Sequence, residues 1–99
     1  MSRTVIVRYR TRPEAAEENA RLIEAVFAAL DDVKPDGFWY RTFRLADGVS
    51  FVHVARHEGT DNPLSHVAAF AEFQRDLADR CVEQPTPSEA TLVGSYGIR

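Results

Sequence analysis

The chain has 99 residues, 44% of them apolar, with a formal charge of −3 and a pI near 5.5. That suits one domain over residues 1–99, but a chain this short buries only roughly 60–65% of its unfolded surface, so a subunit interface would add needed stability. Scattered Lys and Arg in an acidic chain leave no footprint for DNA or RNA, the lone Cys81 rules out an internal disulfide or a CxxC zinc pattern, and no apolar run is long enough to span a bilayer.

The opening residues Met1-Ser2-Arg3-Thr4 lead straight into a strand, with no signal-peptide core, so a cytoplasmic location is expected. Residues 4–10 are β-branched and alternate, with Val5, Val7 and Tyr9 on one face and Ile6, Arg8 and Arg10 on the other. Pro13 suits the first turn of a helix, where its missing N–H costs nothing. Glu14, Glu17 and Glu18 then place negative charge at the positive end of the helix dipole. Ile23, Val26, Phe27 and Leu30 share one helical face, and Asp31-Asp32, followed by Pro35 and Gly37, marks the stop.

Residues 38–45 and 49–57 read as a hairpin turning at Asp47-Gly48, a pair suited to a type I′ turn. Ala46 would then face Val49, which sets Thr42 opposite His53, Tyr40 opposite Ala55, Arg44 opposite Phe51 and Phe38 opposite His57. Trp39, Arg41, Phe43 and Leu45 would fall on the other side, against Arg56, Val54, Val52 and Ser50. Gly59-Thr60-Asp61-Asn62-Pro63 is a loop with Asn62 or Ser65 as N-cap. The helix after it carries Val67, Phe70, Ala71, Phe73, Leu77 and Cys81 as an apolar stripe, with Asp76 and Arg80 paired on the wet side. Gln84-Pro85-Thr86-Pro87 closes that helix, and residues 90–98 read as the last strand despite Gly94 and Gly97. No internal repeat, low-complexity tract or linker is evident.

The order β-α-β-β-α-β predicts an α+β, ferredoxin-like fold: an antiparallel sheet with two helices on one face, pairing with a second copy as a homodimer. Three features narrow the expectation. They are the Pro13 helix start, Gly37 ahead of an aromatic strand, and the stretch Pro63-Leu64-Ser65-His66-Val67-Ala68-Ala69-Phe70-Ala71-Glu72-Phe73. In these the chain resembles the antibiotic biosynthesis monooxygenase-like family of dimeric α+β barrels. The resemblance implies two sheets associating into one barrel, with a small cavity in each subunit between sheet and helices. It further implies chemistry on small molecules, in some members the oxidation of polyketide quinols by dioxygen without a cofactor. The haem-degrading branch, with an asparagine on the first strand and a tryptophan and histidine on the second helix, does not fit: residues 4–10 hold no Asn and 65–81 no Trp.

His53 is the sharpest candidate for chemistry, a mid-strand imidazole in the apolar run Phe51-Val52-His53-Val54-Ala55. Near its ordinary pKa of ~6.5 it could take the proton of a phenol or quinol, or it could be a structural histidine bonded to Thr42 or set in the dimer interface. Tyr40 offers an O–H donor beside it. Trp39, Phe51, Phe70 and Phe73 offer apolar walls, though Phe38, Trp39 and Tyr40 cannot all share one face. His66 could close a cavity mouth or simply be exposed in a first helical turn. His53 and His57 stand about 13 Å apart on one strand face, too far for one metal ion, and no carboxylate–histidine cluster supplies a metal site. Arg8 and Arg10 could hold a carboxylate or phenolate, or be interface charges. Ser50, Ser65 and Ser95 lack a nucleophile-elbow context, Cys81 reads as a small buried hydrophobe, and glycine fingerprints for phosphate are absent.

The functional expectation is a small cofactor-independent monooxygenase-like enzyme for an aromatic or quinol-type ligand. His53 would be proton acceptor, Tyr40 donor, and Trp39, Thr42, Phe51, His66, Phe70 and Phe73 the substrate-binding residues. The alternatives are a non-catalytic small-ligand-binding or interaction module of the same fold, and a related barrel isomerase, decarboxylase or cyclase.

Overall fold

The computed structural model describes residues 2–97. Strand β1 (Ser2–Thr11) leads through a 3-10 turn at Pro13–Ala15 into helix α1 (Ala16–Val33). The hairpin β2 (Phe38–Arg44) and β3 (Ser50–Glu58) follows, then a second 3-10 turn (Pro63–His66), α2 (Ala68–Arg75), α3 (Leu77–Arg80) and β4 (Cys81–Ala90). The four strands form one antiparallel sheet in the order β2-β3-β1-β4. This is the ferredoxin-like α+β arrangement that the element order implies.

Alternation decides what each sheet face does. Tyr9 of β1 and Phe51 of β3 point to the helices and pack with Ile23 and Val26 of α1, Phe73 of α2 and Leu77 of α3. The opposite face bears Ile6, Val52 and Val54 together with Trp39 and Phe43, and the last two are 41% and 50% exposed. A sheet with helices on one side only leaves that second face without cover.

The hairpin register is the one the alternation implies: Phe38 faces His57, Tyr40 faces Ala55, Thr42 faces His53 and Arg44 faces Phe51. The turn itself differs. Only Gly48 carries positive φ (79°), whereas a type I′ turn needs it at both central residues, Asp47 included. Leu45 donates its N–H to Ser50 C=O and Gly48 donates to Leu45 C=O, so residues 46–49 all belong to the loop and Ala46 does not pair with Val49. The Asp47 carboxylate accepts from the Val49 and Ser50 N–H groups and from the Ser50 hydroxyl, which holds its pKa down at about 2. Widening the loop evenly about the same centre leaves the register intact.

Helix α1 runs just past Asp31-Asp32 and ends where Lys34 turns left-handed (φ 49°) and donates its N–H to Leu30 C=O. Asn62 caps the second 3-10 turn, its side chain accepting from Leu64 N–H, while Ser65 donates its hydroxyl to Asn62 C=O.

The C-terminal third corrects the expectation. The second helix does not run on to Cys81; it breaks at Asp76 into α2 and α3, and Cys81 opens β4. The break turns Arg80 inward to 5% exposure, so it does not pair with Asp76 on the wet side. The last strand is Cys81–Ala90 rather than 90–98, and Gln84-Pro85-Thr86-Pro87 lies inside it. Proline lacks the N–H that a central strand must donate, but β4 is an edge strand bonded to β1 alone, with register shifts beside Arg10. Residues 91–97 form no strand, with Leu92, Val93 and Tyr96 exposed; Ile98 lies outside the described residues.

Phe51 is 1% exposed at the centre of this packing. Phe51→Ala is expected to cost about 3–5 kcal/mol of unfolding free energy, read as a lower denaturant midpoint with an unchanged slope.

Candidate functional site

Between the inner sheet face and the α2–α3 segment lies a cavity of about 610 Å³, within the range of small-molecule sites. Its walls are apolar: Val5 and Val7 from β1, Phe70 and Phe73 from α2, Leu77 from α3 and Pro85 from β4. No Asp, Glu, Lys or Arg is among its lining residues in the described chain. Its polar lining residues are Tyr9, Tyr40 and His53 from β1, β2 and β3, Gln84 from β4, Gln74 from α2 and Asn62 ahead of the second 3-10 turn.

His53 is 5% exposed and both its ring nitrogens are occupied. Nε2 shares a hydrogen bond with the Tyr9 hydroxyl at 2.7 Å. Nδ1 lies 2.5 Å from the Tyr40 hydroxyl and 3.0 Å from Thr42 Oγ1. The Tyr9 and Tyr40 rings stack beside the imidazole at centroid distances of 5.3 and 5.8 Å, and Phe73 approaches it at 5.5 Å. Behind Tyr9, Asn19 of α1 donates its Nδ2–H to the tyrosine oxygen at 2.9 Å. Arg80 donates from Nε to Asn19 Oδ1 at 3.0 Å and from its terminal nitrogen to Phe73 C=O at 2.7 Å.

Burial controls the protonation of this group. It lowers the His53 pKa from 6.5 to about 4, so the imidazole is neutral at pH 7. It pushes Tyr40 up to about 12, against a hydrogen bond from Thr42 that works the other way. Tyr9 is raised further by the same desolvation, partly offset by the Asn19 hydrogen bond.

The cavity thus gathers Tyr40, His53, Phe70 and Phe73 from the residues the sequence singles out. Thr42 sits behind, against Nδ1. Trp39, Phe51 and His66 do not line it. Trp39 alternates to the outer face, with the Arg41 guanidinium over its ring at 5.6 Å. Phe51 is sealed in the core against Tyr9, and His66 is exposed and paired with Asp61 at 2.9 Å. Arg8 and Arg10 point to the face away from the cavity, Arg10 pairing with Glu83. Cys81 packs at the edge of the core, its thiol pKa raised by partial burial. His53 is bonded to Thr42 and also lines the cavity.

Three members of the group were not singled out as site residues: Tyr9, Asn19 and Arg80. Tyr9 and Asn19 were visible as polar groups in apolar positions. Tyr9 shares its strand face with Val5 and Val7, and Asn19 stands four residues before Ile23 on the buried stripe of α1. Arg80 gave no such signal, because its inward turn follows from the helix break. No cluster of His, Cys, Asp and Glu among the described residues could hold a metal ion, and no helix there is long and apolar enough to cross a membrane.

No protein-family model matches the sequence, and no curated protein matches it either. Solved structures do share its fold. A candidate antibiotic biosynthesis monooxygenase from Bacteroides thetaiotaomicron superposes with a TM-score of 0.80 at 15% identity, covering 99% of this chain and 94% of that one. A candidate antibiotic biosynthesis monooxygenase from Nitrosomonas europaea gives 0.75 at 14% identity, over 97% and 94%. A mutant of SnoaB, a cofactor-independent oxygenase from Streptomyces nogalater, gives 0.68 at 16% identity, over 98% of both chains. These likenesses show that the chain has the fold of the antibiotic biosynthesis monooxygenases. The resemblance carried by Pro13, Gly37 and the Pro63 to Phe73 stretch is matched at that level.

The depressed His53 pKa has a consequence for stability. The unfolded chain binds this proton near pH 6.5 and the folded chain only near 4, so the contribution is whole above about 6.5 and is lost as pH falls toward 4, by up to about 3 kcal/mol. His53→Gln removes the titration. The stability gap between wild type and variant is therefore expected to narrow across that window in urea unfolding; a gap independent of pH would contradict the assignment.

Proposed function

We propose that the protein belongs with the antibiotic biosynthesis monooxygenase-like enzymes and oxygenates a flat aromatic or quinol-type molecule without a cofactor. The observation that carries this reading is an apolar cavity whose sheet wall presents one tyrosine–histidine–tyrosine group. A ring would lie against Phe70, Phe73 and Leu77, with its oxygen at the Tyr40 hydroxyl. His53, its nitrogens both occupied inside the protein, would act through Tyr40 rather than touch the ligand. The chemistry closes without a reductant: a phenol with a hydrogen on the carbon para to its hydroxyl, plus dioxygen, gives a quinone and water. The substrate supplies all four electrons, and the protein's part is to orient the ring, exclude water and hold the oxygen where negative charge develops.

A second reading, a binding module that holds such a molecule unchanged, is favoured by the absence of any charged side chain from the cavity wall among the described residues. Oxygen uptake with a panel of hydroxynaphthalenes separates the two. Turnover falling about 100-fold in Tyr40→Phe is expected for the enzyme; a ligand retained unchanged in native mass spectrometry, without oxygen uptake, would replace the enzyme with the module.

We also propose that the bare sheet face of Ile6, Val52, Val54, Trp39 and Phe43 is covered by the same face of a second copy, forming a homodimer. Sedimentation should show a dimer at micromolar concentration and a folded monomer for Val54→Asp. A stable wild-type monomer would defeat this proposal.

A further inference from the structure

The hydrogen-bonded chain behind the cavity has a direction that donor and acceptor chemistry alone can fix. Arg80 is a donor only, so the Asn19 atom 3.0 Å from its Nε must be the amide oxygen. The Asn19 amide nitrogen then faces Tyr9 and donates to its oxygen at 2.9 Å. Tyr9 has one proton left to place, and His53 Nε2 at 2.7 Å is the acceptor beside it. A neutral imidazole that accepts at Nε2 carries its proton at Nδ1. That proton points between Tyr40 and Thr42, whose oxygens lie 2.5 and 3.0 Å from Nδ1, and an N–H shared by two oxygens is a common three-centre arrangement.

The reverse order is worse at Tyr9. With the proton on Nε2, Tyr9 would accept from both Asn19 and His53, and its own hydroxyl proton would have no protein partner although the residue is 2% exposed. In the favoured order every proton of the buried stretch is placed, and the first free one belongs to Tyr40, the half-buried residue that lines the cavity.

We infer that Arg80, Asn19 and Tyr9 are positioning residues that hold His53 as its Nδ1–H tautomer, and so make the Tyr40 hydroxyl a hydrogen-bond donor selecting a ligand oxygen that accepts, a ring carbonyl or an ionised phenolate. The inference rests on the proposed function only for what enters the cavity; the tautomer is a property of the empty protein. Arg80 itself stands behind the cavity wall. It is 5% exposed, takes part in no ion pair among the described residues, and lies over the Phe73 ring at 5.5 Å.

The test begins with nitrogen-15 NMR of the histidine rings at neutral pH. His53 is expected with Nδ1 protonated and Nε2 bare, the reverse of the tautomer that free histidine favours; a protonated Nε2 overturns the chain. Asn19→Asp changes the direction without changing the shape. Ionised against Arg80, it accepts from Tyr9, which must then accept from His53, so the tautomer is expected to switch to Nε2–H. Retention of Nδ1–H in a folded variant overturns the positioning role, and the wild-type spectrum decides the tautomer even if the variant does not fold.

Binding of 1-tetralone and of tetralin, alike in shape but differing in one carbonyl, reads the Tyr40 donor. Wild type should prefer the ketone about tenfold, and Tyr40→Phe and Asn19→Asp should each lose the preference. Equal binding of the two probes by wild type overturns the donor assignment. Failure of both to bind overturns the ligand half together with the proposed function, whereas a protonated Nε2 overturns the positioning chain alone.

Discussion

Placing an imidazole in the middle of an apolar sheet face costs several kcal/mol unless each ring nitrogen finds a partner. In this chain the partners come from almost every element. Tyr9 stands on β1, Tyr40 and Thr42 on β2, His53 on β3, Asn19 on α1 and Arg80 at the end of α3. Losing any one of them strands another as a buried, unpaired polar group. The network therefore fixes how α1 and the α2–α3 segment sit on the sheet more narrowly than apolar packing would, since packing tolerates small slides and a donor–acceptor pair at 2.5–3.0 Å does not. The cavity exists because these helices are held at the sheet by a polar seam on one side and by Phe73 and Leu77 on the other.

The two faces of the sheet divide the remaining work. The inner face carries the polar seam and the core, and the outer face carries Trp39, Phe43 and the half-buried Ile6, Val52 and Val54 among the arginines 8, 41 and 56. Arg41 lies over Trp39, which shields part of that ring without removing the face's apolar character. In a chain of 99 residues the inner core alone is small, so covering the outer face is the physical route to added stability.

How far the sequence revealed this depended on the range of each interaction. The β2–β3 register was legible because alternation and one turn centre determine it locally, even though the turn was of another type. The stripe Ile23, Val26, Phe27 and Leu30 was legible for the same reason. Strand β4 was not. Two prolines and a run of polar residues look like a loop, and only its place at the sheet edge, a non-local fact, allows Pro85 and Pro87 to stand in a strand. The site divided in the same way. His53, Tyr40 and Thr42 are neighbours through the hairpin register, whereas Tyr9, Asn19 and Arg80 reach them only through the β1–β3 pairing and the break at Asp76. The three aromatic or histidine positions that miss the cavity fail for particular reasons: Trp39 by strand parity, Phe51 by complete burial and His66 by its exposed place in the 3-10 turn, where it bonds to Asp61.

The balance of the cavity also says which part of a ligand supplies affinity and which supplies orientation. At about 25 cal/mol per Å² of apolar surface, a two- or three-ring molecule gains most of its binding from walls such as Val7, Phe70, Phe73 and Leu77. A single hydrogen bond at Tyr40 adds about 1 kcal/mol, little in total but enough to choose which end of a flat ring system faces the sheet. With His53 neutral near pH 7 and no lining charge among the described residues, nothing there rewards a strongly charged group except the distant field of Arg80. Such a site suits a flat ring held by its apolar surface and turned so that one accepting oxygen, a carbonyl or a phenolate, meets the Tyr40 hydroxyl.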